Sequence, residues 1–175
     1  MFGDVLNRVC EIADDDNTNA SRTQFETCAY MGSSTVVKVV HGSGLDLEYG
    51  AAGTYAGFDR FGRIVDQHWA LVAGGTVRDG FKYAYDTASN RKWRENVPAS
   101  AKDEYYTYDG LRRLTNANRG DLTGSPTYTG ISGAPAIERG YTLDGVGNWS
   151  GYEEKAAGNA TLTPQGYRRF PALGL

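Results

Sequence analysis

Apolar and polar residues alternate along this chain in short runs, cut by Gly, Asn, Asp and Ser. Tyr83-Ala84-Tyr85, Tyr106-Thr107-Tyr108 and Tyr141-Thr142-Leu143 each place two large side chains two residues apart, the period of a strand with one covered face. Each run is followed at once by an aspartate: Asp86, Asp109 and Asp144. Phe58-Asp59-Arg60-Phe61-Gly62-Arg63-Ile64 is a fourth copy, and Asp4-Val5-Leu6-Asn7-Arg8-Val9 a weaker fifth. Aligned on the aspartate, the third following residue is Asn7, Gly62, Ser89, Arg112 or Gly147. The fourth is Arg8, Arg63, Asn90, Arg113 or Asn148, and in most copies the fifth is apolar.

These columns predict strand, turn, strand. The aspartate opens the turn by accepting backbone N–H groups two residues on. Gly or Asn in the third place suits the positive φ that closes such a turn; Ser89 and Arg112 break that preference, so their two turns are expected to differ. The arginine in the fourth place is expected to lie over a neighbouring tyrosine or to pair with the aspartate of an adjacent unit. A lone hairpin is marginal, so the units must stack side by side. The expected fold is all-β, a strip of stacked antiparallel hairpins. Phe2, Val5, Leu6, Val9 and Ile12 also fall at helical spacing, and the N-terminus is where a helix competes with a hairpin.

Composition supports short strands and many turns: 23 Gly and 12 Tyr in 175 residues. A net charge of −3 without a basic stripe argues against a nucleic-acid partner. No apolar run reaches the roughly 18 residues of a membrane-spanning helix, and Met1-Phe2-Gly3-Asp4 is not the start of a signal peptide. Cys10 and Cys28 either pair across a small loop or are two unrelated thiols, the reading preferred here. With His41 and His68 they lack metal-ligand spacing, so no metal site is expected.

The columns resemble the YD repeats of Rhs proteins, roughly Tyr-x-Tyr-Asp-x-x-Gly-Arg-Leu. Arg8, Arg63 and Arg113 match the arginine of that pattern, Gly62 and Gly147 its glycine, and Asp4, Asp59, Asp86, Asp109 and Asp144 its aspartate. The resemblance covers most of residues 1–152. It implies a β-strip that coils into a shell, here a partial one, around a toxic C-terminal domain that a secreted or surface-displayed protein delivers to another cell. The implied partners are the rest of a larger Rhs-type polypeptide and its toxin domain. Five units are too few to close a shell, so a fragment of the repeat region near the Rhs core, without an effector, is expected. Asp-Pro occurs nowhere, so the self-cleavage linked to the Rhs core motif is not carried over.

The repeated aspartates sit in identical local settings, which points to one structural role and not to a catalytic pair. No catalytic residue and no cofactor are expected: there is no Gly-x-Ser-x-Gly, and Gly42-Ser43-Gly44 reads as a turn. Asp15 to Glu26 copies part of the ligand spacing of a calcium loop, but Ala20 stands where glycine is needed. The alternative function is a cell-surface carbohydrate-binding or adhesion module, with Tyr83, Tyr85, Tyr106, Tyr108, Tyr141 and Trp149 stacking on sugar rings. Residues 1–152 are read as one repeat region with a polar loop near 14–28, residues 97–102 and 120–126 as loops between units, and residues 153–175 as a poorly structured tail.

Overall fold

In a computed structural model of the chain, residues 2–14, 23–50 and 57–156 are described. The Asp15–Ala20 stretch of the calcium-like loop and most of the expected tail therefore lie outside the described residues. The described chain is all-β and antiparallel, and its one helical element is a 3-10 turn at Ser100–Lys102. It clusters into two compact units, Met1–Tyr83 with Asn96–Pro98, and Ala84–Glu95 with Ala99–Leu175, where the sequence suggests a single repeat region.

The first unit is a meander. Strands β1 (Phe2–Gly3), β2 (Val9–Ala13), β3 (Gln24–Met31), β4 (Thr35–His41), β5 (Leu45–Glu48) and β6 (Asp66–Leu71) pair in sequence order, and β6 pairs with the first residues of β7 (Val77–Tyr85). The N-terminal segment is a hairpin, so the competing helix is ruled out: Asp4 and Asn7 close a turn between β1 and β2. Residues 24–28, read as part of a polar loop, belong to β3. Cys10 and Cys28 are free thiols on the neighbouring strands β2 and β3, and burial pushes the Cys28 thiol above its ordinary value.

The second unit is built from β8 (Arg91–Asn96), β9 (Glu104–Tyr108), β10 (Leu114–Arg119), β13 (Ile137–Leu143) and β14 (Trp149–Ala156), again antiparallel and adjacent in that order. The excursion between β10 and β13 carries a two-residue pair, β11 (Leu122–Thr123) with β12 (Gly130–Ile131), of which β11 falls inside residues 120–126, read as loop. Strand β14 continues to Ala156, so residues 153–156 of the expected tail are ladder.

The described residues of neither unit build a thick core. Among the described residues the one buried apolar side chain is Ala70. Most strand residues are half-buried on both faces, as in β4 and β10. Cohesion therefore comes from ladder hydrogen bonds and cross-strand side-chain pairs more than from a packed interior. The ring pairs Tyr49–Phe58 (5.0 Å), His41–Trp69 (5.4 Å) and Trp93–Tyr128 (4.9 Å) are such contacts.

Candidate functional site

Five corners share one hydrogen-bond scheme. In each, one carboxylate oxygen of the aspartate accepts the backbone N–H groups two and four residues on. For Asp109 these come from Leu111 (2.8 Å) and Arg113 (2.9 Å), and for Asp144 from Val146 (3.0 Å) and Asn148 (2.9 Å). Asp4, Asp59 and Asp86 repeat the pattern. The second oxygen accepts from the side chain in the fourth place: Arg63 Nε at 2.6 Å, Arg113 Nε at 2.6 Å, Asn90 Nδ2 at 2.8 Å, Asn148 Nδ2 at 3.1 Å, and the Arg8 guanidinium. The backbone closes each loop a third time. The aspartate N–H donates to the fourth carbonyl, and the third N–H donates back to the aspartate carbonyl.

Two sequence expectations need correction here. The arginine pairs with the aspartate of its own unit, because the five-residue turn already brings the two side chains together. Its reach to the next unit goes to backbone: Arg113 Nη1 donates to the Asp144 carbonyl (2.8 Å) and Arg8 Nη1 to the Gly32 carbonyl (2.5 Å). Among the described residues the expected stacking on a tyrosine is seen where the Arg8 guanidinium lies 4.4 Å from the Tyr30 ring centre. Nor do the Ser89 and Arg112 turns differ. Asn7, Gly62, Ser89, Arg112 and Gly147 all take positive φ, from 59° to 94°. The turn's hydrogen bonds impose that conformation even on residues that pay for it.

That cost gives a prediction. An L-residue held left-handed costs about 1–2 kcal/mol, which the greater freedom of glycine in the unfolded chain partly offsets. Arg112→Gly should therefore raise stability by roughly 0.5–1 kcal/mol, read as a higher urea midpoint at unchanged slope.

The corner carboxylates are all held below their ordinary range. The Arg8 guanidinium brings Asp4 down to about 2. The Asn90 amide lowers Asp86, the Arg113 N–H and guanidinium lower Asp109, and the Asn148 N–H and amide lower Asp144. At Asp59 burial pushes upward but is outweighed by the N–H and guanidinium of Arg63. Both oxygens of each corner are engaged, so these groups act chemically as anchors for backbone donors.

Three polar clusters were not visible in the repeat columns. In the first unit, Lys38 on β4, Glu48 on β5 and His68 on β6 are direct cross-strand partners. Lys38 Nζ lies 2.7 Å from buried Asp46 and 2.5 Å from Glu48, and His68 lies 3.3 Å from Glu48. The carboxylates raise the Lys38 pKa and Lys38 lowers that of Glu48. The one available signal was the alternation in Leu45-Asp46-Leu47-Glu48, which puts both acids on one face. In the second unit, Glu104 receives the Tyr106 hydroxyl and lies 3.1 Å from Arg94. Burial, with Glu104 beside it, pushes Tyr106 up to about 12. Arg139, Glu154 and Tyr152 form a second chain at 2.8 Å and 2.6 Å.

The six aromatic residues proposed for stacking are divided between the two units. Tyr83 belongs to the first unit and pairs with Phe81 at 6.3 Å. Tyr85, Tyr106, Tyr108, Tyr141 and Trp149 belong to the second. There Tyr108 donates to the Arg91 carbonyl (2.8 Å), and Tyr141 packs against Trp149 (5.1 Å) and Tyr152 (5.6 Å). Tyr106 and Tyr141 also line one hollow of about 180 Å3 with Glu104, Asn118, Arg119 and Arg139. Among the described residues no group of three or more His, Cys, Asp or Glu could hold a metal ion, and no helix is long and apolar enough to cross a membrane.

No protein-family model matches the sequence, and no curated protein matches it. Solved structures do match in fold. The Photorhabdus luminescens Tc holotoxin pore carrying a TccC3 mutation aligns over 85% of this chain and 7% of its own, with TM-score 0.58 and 20% identity. The TcdB2-TccC3-Cdc42 crystal structure aligns over 82% of this chain and 8% of its own, with TM-score 0.59 and 19% identity. TcdB2-TccC3 without its hypervariable C-terminal region aligns over 80% of this chain and 7% of its own, at TM-score 0.58 and 20% identity. This chain thus spans less than a tenth of the length of the chains it matches. The five aspartate corners and these alignments together give the chain the YD-repeat fold of Rhs-type proteins.

Proposed function

We propose that this chain is a non-catalytic length of wall in a larger Rhs-type polypeptide, exported or displayed at the cell surface, whose shell encloses a toxic C-terminal domain. The observation that carries this reading is the engagement of every corner aspartate by its own turn. A carboxylate that already accepts two backbone N–H groups and a side-chain donor offers no free oxygen as nucleophile or base. Five such anchors in closely similar settings serve to fix the turns of successive hairpins. The fold shared with parts of toxin-complex chains supports the same reading.

The reading frame around the gene tests it. Further YD units in frame, a downstream variable domain, and an adjacent immunity gene and export system are expected. A frame in which nothing flanking these residues carries the repeat would sink the proposal. A hydrolytic turnover abolished by Asp109→Asn would overturn its non-catalytic part.

A second reading, a glycan-binding or adhesion module, is favoured by the packed rings of Tyr141, Tyr152 and half-exposed Trp149 on β13 and β14. Aromatic faces of this kind stack on sugar rings. Binding on a glycan array, lost when Tyr106 and Tyr141 are both changed to alanine, is its expected signature.

A further inference from the structure

We infer that Asp79 is a modification site, whose link to Gly80 rearranges spontaneously to the isoaspartyl form, and that the fold singles it out from three Asp-Gly pairs. The inference rests on neither functional reading. The chain holds Asp79-Gly80, Asp109-Gly110 and Asp144-Gly145, and no Asn-Gly. In each pair the glycine, having no Cβ, leaves its own nitrogen open to close approach by the preceding side chain. By sequence the three pairs are equal; in the fold they are not.

At Asp79 the carboxylate turns back on its own main chain. Its Oδ1 accepts the N–H of the next residue, Gly80, at 3.0 Å. That contact lays the side-chain carbon Cγ beside the nitrogen that must attack it. Asp79 is exposed, so water reaches it. It also lies at an irregularity of β7: Trp69 faces Asp79 and Ala70 faces Val77, which leaves Arg78 as the extra residue of a β-bulge. A bulge disrupts the ladder locally, and ring closure needs that freedom of the backbone. The other two pairs are corners. At Asp109 and Asp144 one oxygen accepts the N–H groups two and four residues on, and the other accepts the Arg113 guanidinium or the Asn148 amide. Ring closure there would forfeit all three hydrogen bonds. The same donors hold both corner carboxyls below their ordinary range, and an ionised carboxylate has no hydroxyl to lose as water.

The chemistry needs no reagent but water. The Gly80 nitrogen attacks Cγ of the protonated Asp79 carboxyl group. The N–Cγ bond forms, the bond from Cγ to the hydroxyl breaks, and the hydroxyl leaves with the nitrogen's proton as water. The five-membered succinimide then takes a water back. Breaking its N–Cγ bond restores aspartate. Breaking the bond from the nitrogen to the main-chain carbonyl carbon leaves the chain running through Cβ and Cγ, one carbon longer and unchanged in mass. In β7 that carbon falls between the partners of Trp69 and His68. Residues beyond it are shifted against β6. In a sheet held chiefly by its ladder, the β6–β7 pairing is what an aged chain loses.

The test ages the whole chain for several weeks at 37 °C and pH 5, folded and, in parallel, in concentrated guanidinium chloride. Isoaspartate is quantified at each Asp-Gly pair by peptide mapping with electron-transfer fragmentation. In denaturant the three pairs are expected to react to similar extents. In the folded chain at least roughly tenfold more is expected at Asp79 than at Asp109 or Asp144, which react only while their turns are open. Hydrogen exchange across β6 and β7 should quicken in the aged chain and not in aged Asp79→Glu, whose longer side chain closes no five-membered ring. Should that variant fail to fold, the comparison of the three sites in the wild-type chain decides alone. Equal isoaspartate at all three sites of the folded chain, or more at a corner, would overturn the inference. So would its absence from Asp79 in the folded chain while the denatured chain reacts there. Unchanged exchange in a chain carrying isoaspartate at Asp79 would remove the consequence for the β6–β7 pairing.

Discussion

Gly57→Ala is expected to disrupt the first unit, the largest single-residue effect foreseen in this chain. A Cβ at Gly57 would lie 2.2 Å from the Tyr49 carbonyl carbon, 2.6 Å from the Asp66 carbonyl oxygen and 2.6 Å from the Gly50 nitrogen. All three are backbone atoms, so no side-chain rotation relieves the clash. The Gly57 carbonyl also accepts the Val65 N–H at 2.8 Å, which ties it to the chain entering β6. Overpacking in a close-packed site costs about 1–3 kcal/mol when side chains can shift, and more when backbone must. Against a total stability of roughly 5–15 kcal/mol, and with so little apolar burial in reserve, that is a large fraction. The expected readout is accelerated hydrogen exchange and proteolysis across β4 to β6, with β9 to β14 much less affected. Gly110→Ala is the control: nothing lies within 4 Å of its Cβ, and a change within about 0.5 kcal/mol is expected. Equal effects of the two substitutions would contradict the close approach at Gly57.

The corner carboxylates carry the second large effect. Asp109→Ala removes the acceptor for the Leu111 and Arg113 N–H groups and the partner of the Arg113 guanidinium in one step. Loss of a comparable cap is among the larger single-residue penalties, and a melting temperature lower by roughly 5 °C or more is expected. Asp109→Asn keeps an acceptor for the two N–H groups and should fall between the variant and the wild type. Acid makes the same point without mutation. The folded-state pKa values of Asp4, Asp59, Asp86, Asp109 and Asp144 are lowered, with Asp4 at about 2. Unfolded aspartates therefore take up protons at a higher pH than folded ones. Their contribution to stability is complete above about pH 4 and drains away as the pH falls toward about 2. Glu48 and Glu154, lowered by Lys38 and by Tyr152 with Arg139, act in the same direction. Urea midpoints measured from pH 5 to pH 2 should fall most steeply over the last two units. A flat profile there would mean that the turns do not depend on the ionised carboxylate.

The corners were legible in the sequence because every contact that makes them lies within five residues. An aspartate, a residue able to turn left-handed and a side-chain donor in the fourth place meet whatever the rest of the chain does, so the hairpins at Asp4, Asp59, Asp86, Asp109 and Asp144 could be read off the columns. The same locality explains why Ser89 and Arg112 conform: the hydrogen bonds of the turn outweigh the backbone preference of one residue. What lies across strands was not legible. Which arginine keeps a partner depends on register, and register depends on bulges such as the one between Leu114 and Asn116, which no period-two pattern records. Arg94, Arg119 and Arg139 look alike in the sequence, yet the fold sets the first two against Glu104 and the third against Glu154. Gly57 looks like one glycine among many until the backbones of Tyr49 and Asp66 close on it. Local turn chemistry is written in neighbouring residues; partner choice, close approach and the division into two units arise only when distant strands are laid side by side.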